Sequence, residues 1–130
     1  MRTKEELLSY AKEIQDLPSS TKNDPIFEIL AFENAEKECV SPSGKYTGFP
    51  DTGIERMVGF YYDFDDAYDA IINNVCDIWE TVYNGAFLLC RFPGLFQSVT
   101  SEARMYFTYN KESGKYEQKE EPELFSHLAL

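Results

Sequence analysis

The sequence predicts an α+β fold: a mixed or mainly antiparallel sheet of four to five strands packed by an amphipathic acidic helix, with an N-terminal helix and a short C-terminal helix. Three observations predict it. Residues 63–83 keep a helical apolar period, with Phe64, Ala67, Tyr68, Ile71, Ile72, Val75, Ile78, Trp79 and Val82 on one arc. Asp65, Asp66, Asp69, Asn73, Asp77 and Glu80 fall on the other arc. Short apolar runs at 26–32 and 86–92 have the length of strands, not of helices. Ten Phe and nine Tyr are spread along the chain, as in a sheet with aromatic-rich faces.

Each element has a local reason. Thr3 followed by Glu6 is a capping-box pattern, and Leu7, Leu8, Ala11, Ile14 and Leu17 supply one apolar stripe. A helix is therefore expected over about 4–17, stopped by Pro18-Ser19-Ser20. Pro25 introduces IFEILAF at 26–32, a strand buried on much of both faces. The charged stretch 33–38 fits a helix or a turn. Residues 40–53 hold Pro42, Gly44, Gly48, Pro50 and Gly53 and form the main irregular loop.

Residues 54–62 read as a strand with Arg56, Val58, Phe60 and Tyr62 on one face and Met57, Gly59 and Tyr61 on the other. Asp63 caps the acidic helix, with Asp65 and Asp66 in its first turn, where the helix dipole favours them. Asn84-Gly85 is expected to end that helix. AFLLCRF at 86–92 is apolar on both faces apart from Arg91, which predicts a central strand broken by Pro93-Gly94. Residues 103–109 and 116–119 form a hairpin across the polar loop 110–115. Pro122 opens a short helix over 123–128. The strand–helix–strand core, 54–92, is expected as a crossover with its helix on one face of the sheet. All of this fits one domain over residues 1–130. Ser43-Gly44-Lys45-Tyr46 recurs as Ser113-Gly114-Lys115-Tyr116, two turns of similar chemistry rather than a duplicated domain.

Charge bounds the function. Twelve Lys and Arg against 23 Asp and Glu leave a net charge of −11 at pH 7. Neutralising a phosphate backbone needs clustered cations, so direct nucleic-acid binding is excluded, and an anionic membrane surface is disfavoured. A basic protein partner is compatible with this charge, and so is a role in solubility alone. Cys39, Cys76 and Cys90 form no CxxC pair, which argues against a disulfide framework and a structural zinc site. The first residues, MRTKEE, are too acidic for a signal peptide, and no apolar run reaches membrane-spanning length. A reducing cytoplasm is the expected location.

Catalytic signatures are sparse. His127 is the single histidine, and a Cys–His or Ser–His pair would require it to dock beside a nucleophile far away in sequence. Neither a nucleophile elbow nor a GxxxxGK[ST] phosphate loop is present. Asp63, Asp65, Asp66 and Asp69 supply oxygens but not the spacing or the glycine of a calcium loop. No metal, cofactor or catalytic residue is assigned.

Two binding readings follow. In the first, Asp65, Asp66, Asp69, Asp77 and Glu80 form an anionic face that imitates a phosphate backbone and docks on a basic protein surface, such as that of a nucleic-acid-binding protein. In the second, Lys45, Tyr46 and Phe49 of the long loop join Arg56, Arg91 and Arg104 to hold a small nucleotide-like ligand. An arginine in an apolar strand needs an acidic partner, a strand end or an anionic ligand, so internal ion pairs compete with this second reading. A homodimer is compatible with either.

From Arg56 onward the chain resembles a group of uncharacterised small acidic proteins of Gram-positive bacteria and their phages and mobile elements. The matching residues are Gly59-Phe60-Tyr61, Ala67 through Asn73-Asn74 to Asp77-Ile78-Trp79-Glu80, and Tyr106-Phe107 through Gly114-Lys115-Tyr116 to Glu121-Pro122. The resemblance carries no assigned activity. It implies a bacterial or phage setting, and with the acidic face it suggests an inhibitor of a host defence protein.

Overall fold

A computed structural model describes residues 1–33, 55–75, 83–95 and 103–122. In chain order they form α1 (Lys4–Gln15), β1 (Ile26–Phe32), β2 (Glu55–Tyr61), α2 (Phe64–Ile72), β3 (Gly85–Arg91), β4 (Arg104–Asn110) and β5 (Lys115–Lys119). The fold is α+β. The strands make one sheet in the order β2-β1-β3-β4-β5, and every neighbouring pair is antiparallel. β3 is the central strand, as its two-sided apolar sequence predicts, and six of its seven residues are buried. The loop 40–53 and the expected helix 123–128 lie outside the described residues. Among the described residues no helix is long and apolar enough to cross a membrane.

β2 and β3 both run antiparallel to β1, so they are parallel to each other with β1 between them. The segment containing α2 therefore crosses over β1, which is the expected crossover with an inserted strand. Both helices sit on one face of the sheet. Leu7, Ala11 and Ile14 of α1 and Phe64, Ala67, Ala70 and Ile71 of α2 are buried in one cluster with Phe27, Ile29, Leu88, Met105 and Phe107. Aromatic edges close this layer: Phe64 meets Phe27 at 5.7 Å, and Tyr68 meets Phe107 at 5.6 Å. The opposite face holds a second cluster, Phe32, Phe87, Leu89 and Tyr106, whose described members all come from the sheet.

α1 begins as its sequence predicts, with the Thr3 hydroxyl accepting from the Glu6 amide at 3.1 Å. It ends at Gln15, where Lys22 folds back and its ammonium donates to the carbonyl of Gln15, a helix-end group, and to that of Leu17 just beyond, which also accepts the Ser20 amide. Asp63 caps α2 by accepting from the Asp66 amide.

Two sequence expectations are corrected. α2 stops at Ile72 and does not run on to residue 83. Asn74 adopts the left-handed conformation with φ 52°, its amide donates to the Ile71 carbonyl, and the Val75 amide donates to the Ala70 carbonyl. This is a Schellman termination, and the Asn73 side chain strengthens it by donating to the Asp69 carbonyl at 3.0 Å. The Asn73-Asn74 pair supplies the stop signal that the sequence pattern places at Asn84-Gly85.

The faces of β2 are also not as alternation predicts. Gly59 opposes Ile29 but Met57 opposes Leu30, so Val58 is an extra residue in a β-bulge. The bulge exchanges the two faces for everything before it. Arg56 opposes Ala31 on the helix-covered face, whereas Phe60 and Met57 oppose Glu28 and Leu30 on the other. Met57, Phe60 and Tyr62 are 52%, 53% and 82% exposed.

β3 ends at Pro93-Gly94, and Gly94 is there for two reasons. Its φ is +89°, and a β-carbon would lie 2.7 Å from the Thr21 methyl group. The Thr21 hydroxyl donates to the Pro93 carbonyl, tying the chain before β1 to the end of β3. The β4–β5 hairpin turns where predicted. Asn110 accepts the Glu112 amide on its side chain and the Gly114 amide on its backbone, and Gly114 takes φ +70°.

Candidate functional site

The outer side of the helix layer is acidic. α1 shows water Glu5, Glu6 and Glu13, and α2 shows Asp65, Asp66 and Asp69, while both helices turn their apolar sides to the sheet. The two lysines of this layer are already engaged. Lys4 donates to both oxygens of Asp65 at 2.8 and 3.0 Å, and Lys12 pairs with Asp16 at 3.3 Å. The Asp65 hydrogen bond holds the Lys4 ammonium above its ordinary pKa, and the charges of Asp65, Asp63 and Glu5 add to this. The Lys4 ammonium also lies 5.5 Å from the centre of the Phe64 ring. Lys4 thus clips the start of α1 to the start of α2 and occupies one of the predicted partner carboxylates. Sequence reasoning missed this pairing, because a contact spanning 61 residues leaves no local signal.

The predicted partner residues divide accordingly. Asp65, Asp66 and Asp69 share the exposed side of α2, whereas Asp77 and Glu80 lie outside the described residues.

Of the predicted ligand residues, the three described arginines are not gathered at one place. Lys45, Tyr46 and Phe49 lie outside the described residues. Arg56 stands on the exposed strand β2, on the helix-covered face. Arg91 and Arg104 lie on the opposite face, on β3 and β4. Burial lowers the pKa of Arg91, and the charge of Glu28 works against that shift.

Arg104 is an ion-pair residue. Its Nε and a terminal nitrogen donate to the two oxygens of Glu121 at 2.7 and 2.8 Å, and its guanidinium lies 5.3 Å from the centre of the Phe87 ring. Its side chain is 6% exposed and that of Glu121 26%. A cleft of about 420 Å³ opens beside this pair, between Arg2, Glu6, Tyr106 and Lys119. Arg2 donates to the Arg104 carbonyl at 3.4 Å, and Gln118 donates to the Arg2 carbonyl, so the N-terminal residues are laced across the hairpin.

Among the described residues no group of three His, Cys, Asp or Glu is placed to hold a metal. Cys39, Cys76 and His127 lie outside them. Cys90 is buried in β3, and burial pushes its thiol up to about 12 from an ordinary 9.0, with the charge of Arg91 acting in the other direction. A thiol whose folded pKa is raised favours the folded state below its unfolded pKa. That contribution is lost as pH rises from 9.0 toward about 12. Unfolding free energies from urea denaturation across this range are expected to fall more steeply for the wild type than for Cys90→Ala, by up to about 1.4 kcal/mol per pH unit. Equal slopes would show that the thiol ionises without opening the fold.

Tyr116 gives the helix-covered layer a further fixed point, its buried hydroxyl donating to the Tyr83 carbonyl at 2.7 Å. No protein-family model matches the chain, and neither a curated protein nor a solved structure is similar to it.

Proposed function

We propose that the protein is a non-enzymatic interaction protein whose acidic helix face binds a basic surface on another protein. The observation that carries this reading is the exposure of Asp65, Asp66 and Asp69 on one side of a helix anchored to the sheet by its other side. Glu5, Glu6 and Glu13 of α1 extend the same sign of charge, and the layer's own lysines are tied to aspartates. A rigid anionic surface of this kind steers a cationic partner and competes for a groove lined by Lys and Arg. The resemblance from Arg56 onward supports a phage or mobile-element setting. There the reading becomes an inhibitor that occupies the nucleic-acid-binding groove of a host defence protein.

The small-ligand reading has less behind it. Arg104 already has its anion in Glu121, and Arg56 stands on the other face of the sheet from Arg91 and Arg104.

The test is a tagged pull-down from a Gram-positive host lysate at low and moderate salt. The wild type is compared with a form carrying Asn or Gln at Asp65, Asp66, Asp69, Asp77 and Glu80. The expected result is a basic protein retained by the wild type, released by salt, and reduced about tenfold or more by neutralisation. Equal retention by both forms would sink the acidic-face reading.

A further inference from the structure

Residues 16–25, between α1 and β1, are fixed at two points of different chemistry. One is neutral. Thr21 donates its hydroxyl to the Pro93 carbonyl at 2.9 Å. The Asn23 side-chain amide donates to the same carbonyl at 3.3 Å and to the Thr21 hydroxyl at 2.8 Å.

The other is charged. Lys22 lies between Thr21 and Asn23 and takes φ 63°, a region that residues other than Gly, Asn and Asp seldom enter. Its two neighbours are turned toward Pro93, and this conformation sends the Lys22 side chain the other way, back over the end of α1. The ammonium reaches the carbonyls of Gln15 at 2.9 Å and Leu17 at 2.8 Å, and the Lys22 amide donates to the Ser20 hydroxyl at 3.2 Å. Gln15 closes the arrangement from the helix side, its side-chain amide donating to the Asn23 carbonyl at 3.1 Å.

Lys4 and Lys12 direct their charge at carboxylates. Lys22 differs: among the described residues no carboxylate lies within ion-pair range of it. Its charge faces the negative end of the helix dipole. Hydrogen bonds from an ionised donor are roughly twice as strong as neutral ones, so this grip depends on the charge.

We propose that Lys22 is a charge-operated latch on the C-terminal turn of α1, closed while its amine is an ammonium and opened when that charge is removed. The left-handed conformation at Lys22 favours release, because the surrounding bonds must hold it against its own preference. Acylation by a thioester fixes the open state. One ammonium proton goes to water, Nζ bonds the acyl carbon, the carbon–sulfur bond breaks, and the thiol leaves with a second proton. The amide so formed is neutral and has one N–H for two carbonyls. Lys22 is exposed, so a donor can reach it.

Opening is local. Leu7, Ala11 and Ile14 keep α1 seated on the sheet, and Lys4 keeps its start on Asp65. Residues 16–20 are released, where the amides of Asp16, Leu17 and Ser20 bond to the carbonyls of Lys12, Ile14 and Leu17. The latch stands whether or not the acidic face binds a partner.

Amide hydrogen exchange followed by NMR reads those three amides directly. The Cys90 amide, bonded to the Ala103 carbonyl in the central strand, serves as the core reference. The wild type is compared with the chain acetylated at Nζ of Lys22, with Lys22→Met, and with Lys115→Met, which removes one charge from the distant hairpin. Acetylation and Lys22→Met are expected to speed exchange at Asp16, Leu17 and Ser20 by about three- to tenfold and to leave Cys90 unchanged. Lys115→Met should change none of the four. Unchanged exchange at the three amides in both neutralised forms overturns the latch and leaves the connector to its Pro93 anchor. Equal acceleration by Lys115→Met assigns the effect to net charge and overturns it too. A matching rise at Cys90 would mean that the whole fold opens, which also overturns it.

Discussion

Truncation of Phe107 to alanine is expected to lower the unfolding free energy by about 3–5 kcal/mol, read from urea denaturation at neutral pH. Phe107 is fully buried on β4, beneath α2, with Tyr68 against its ring edge-on at 5.6 Å. Its removal forfeits apolar burial and opens a cavity between two rigid layers that cannot both close on it. A domain of this size is stable by about 5–15 kcal/mol, so the variant should sit near its folding threshold at physiological temperature. Phe107→Leu keeps most of the volume and should recover more than half of the loss. A loss under about 1 kcal/mol for the alanine variant would mean that α2 does not rest on this ring.

The second large effect belongs to the Arg104–Glu121 pair. Glu121→Ala is expected to lose about 3 kcal/mol or more, because it leaves a guanidinium that is only 6% exposed without the carboxylate that two of its nitrogens face. Arg104→Ala should lose less, since Glu121 is 26% exposed and its abandoned carboxylate can take up water. Replacing both residues by apolar ones of similar volume should restore much of the stability, as expected for a buried pair whose desolvation offsets its attraction. A double-mutant cycle in urea measures the coupling, and a coupling near zero would place the pair among weak surface contacts.

Which parts of this fold were legible depends on where the determining interaction lies. β1 matches the apolar run 26–32 to the residue, and β3 matches to within one, because two-sided burial of a central strand is written in its own composition. The N-terminal cap and the β4–β5 turn were equally readable, since their hydrogen bonds span two to four residues. The end of α2 is hidden by periodicity: Val75, Ile78, Trp79 and Val82 continue the apolar period in the sequence past the stop written in Asn73-Asn74. The bulge left no trace, because Met57, Val58 and Gly59 carry no polar residue whose placement would betray a change of face.

The candidate site divides the same way. That Asp65, Asp66 and Asp69 share one exposed side follows from helix geometry alone. That Asp65 is held by Lys4 depends on how two helices meet, which local sequence does not encode. The fate of Arg104 lies between these cases. The hairpin register pairs Tyr106 with Lys119, and two further steps along it bring Arg104 opposite Glu121. The ion pair was therefore implicit in the turn once its register was fixed.

The position of β1 has a consequence in time. It precedes both of its described partners in the chain, and these, β2 and β3, are complete only at residues 61 and 91. Before residue 61 neither of its described neighbours is present, and until residue 91 the edge that β3 covers lacks that partner. Loops of this length close slowly, and unpaired strands are where chains associate wrongly. During synthesis, β1 is thus the segment most in need of protection. Substitutions that slow the arrival of β3 should reduce the yield of folded protein even where they leave its final stability unchanged.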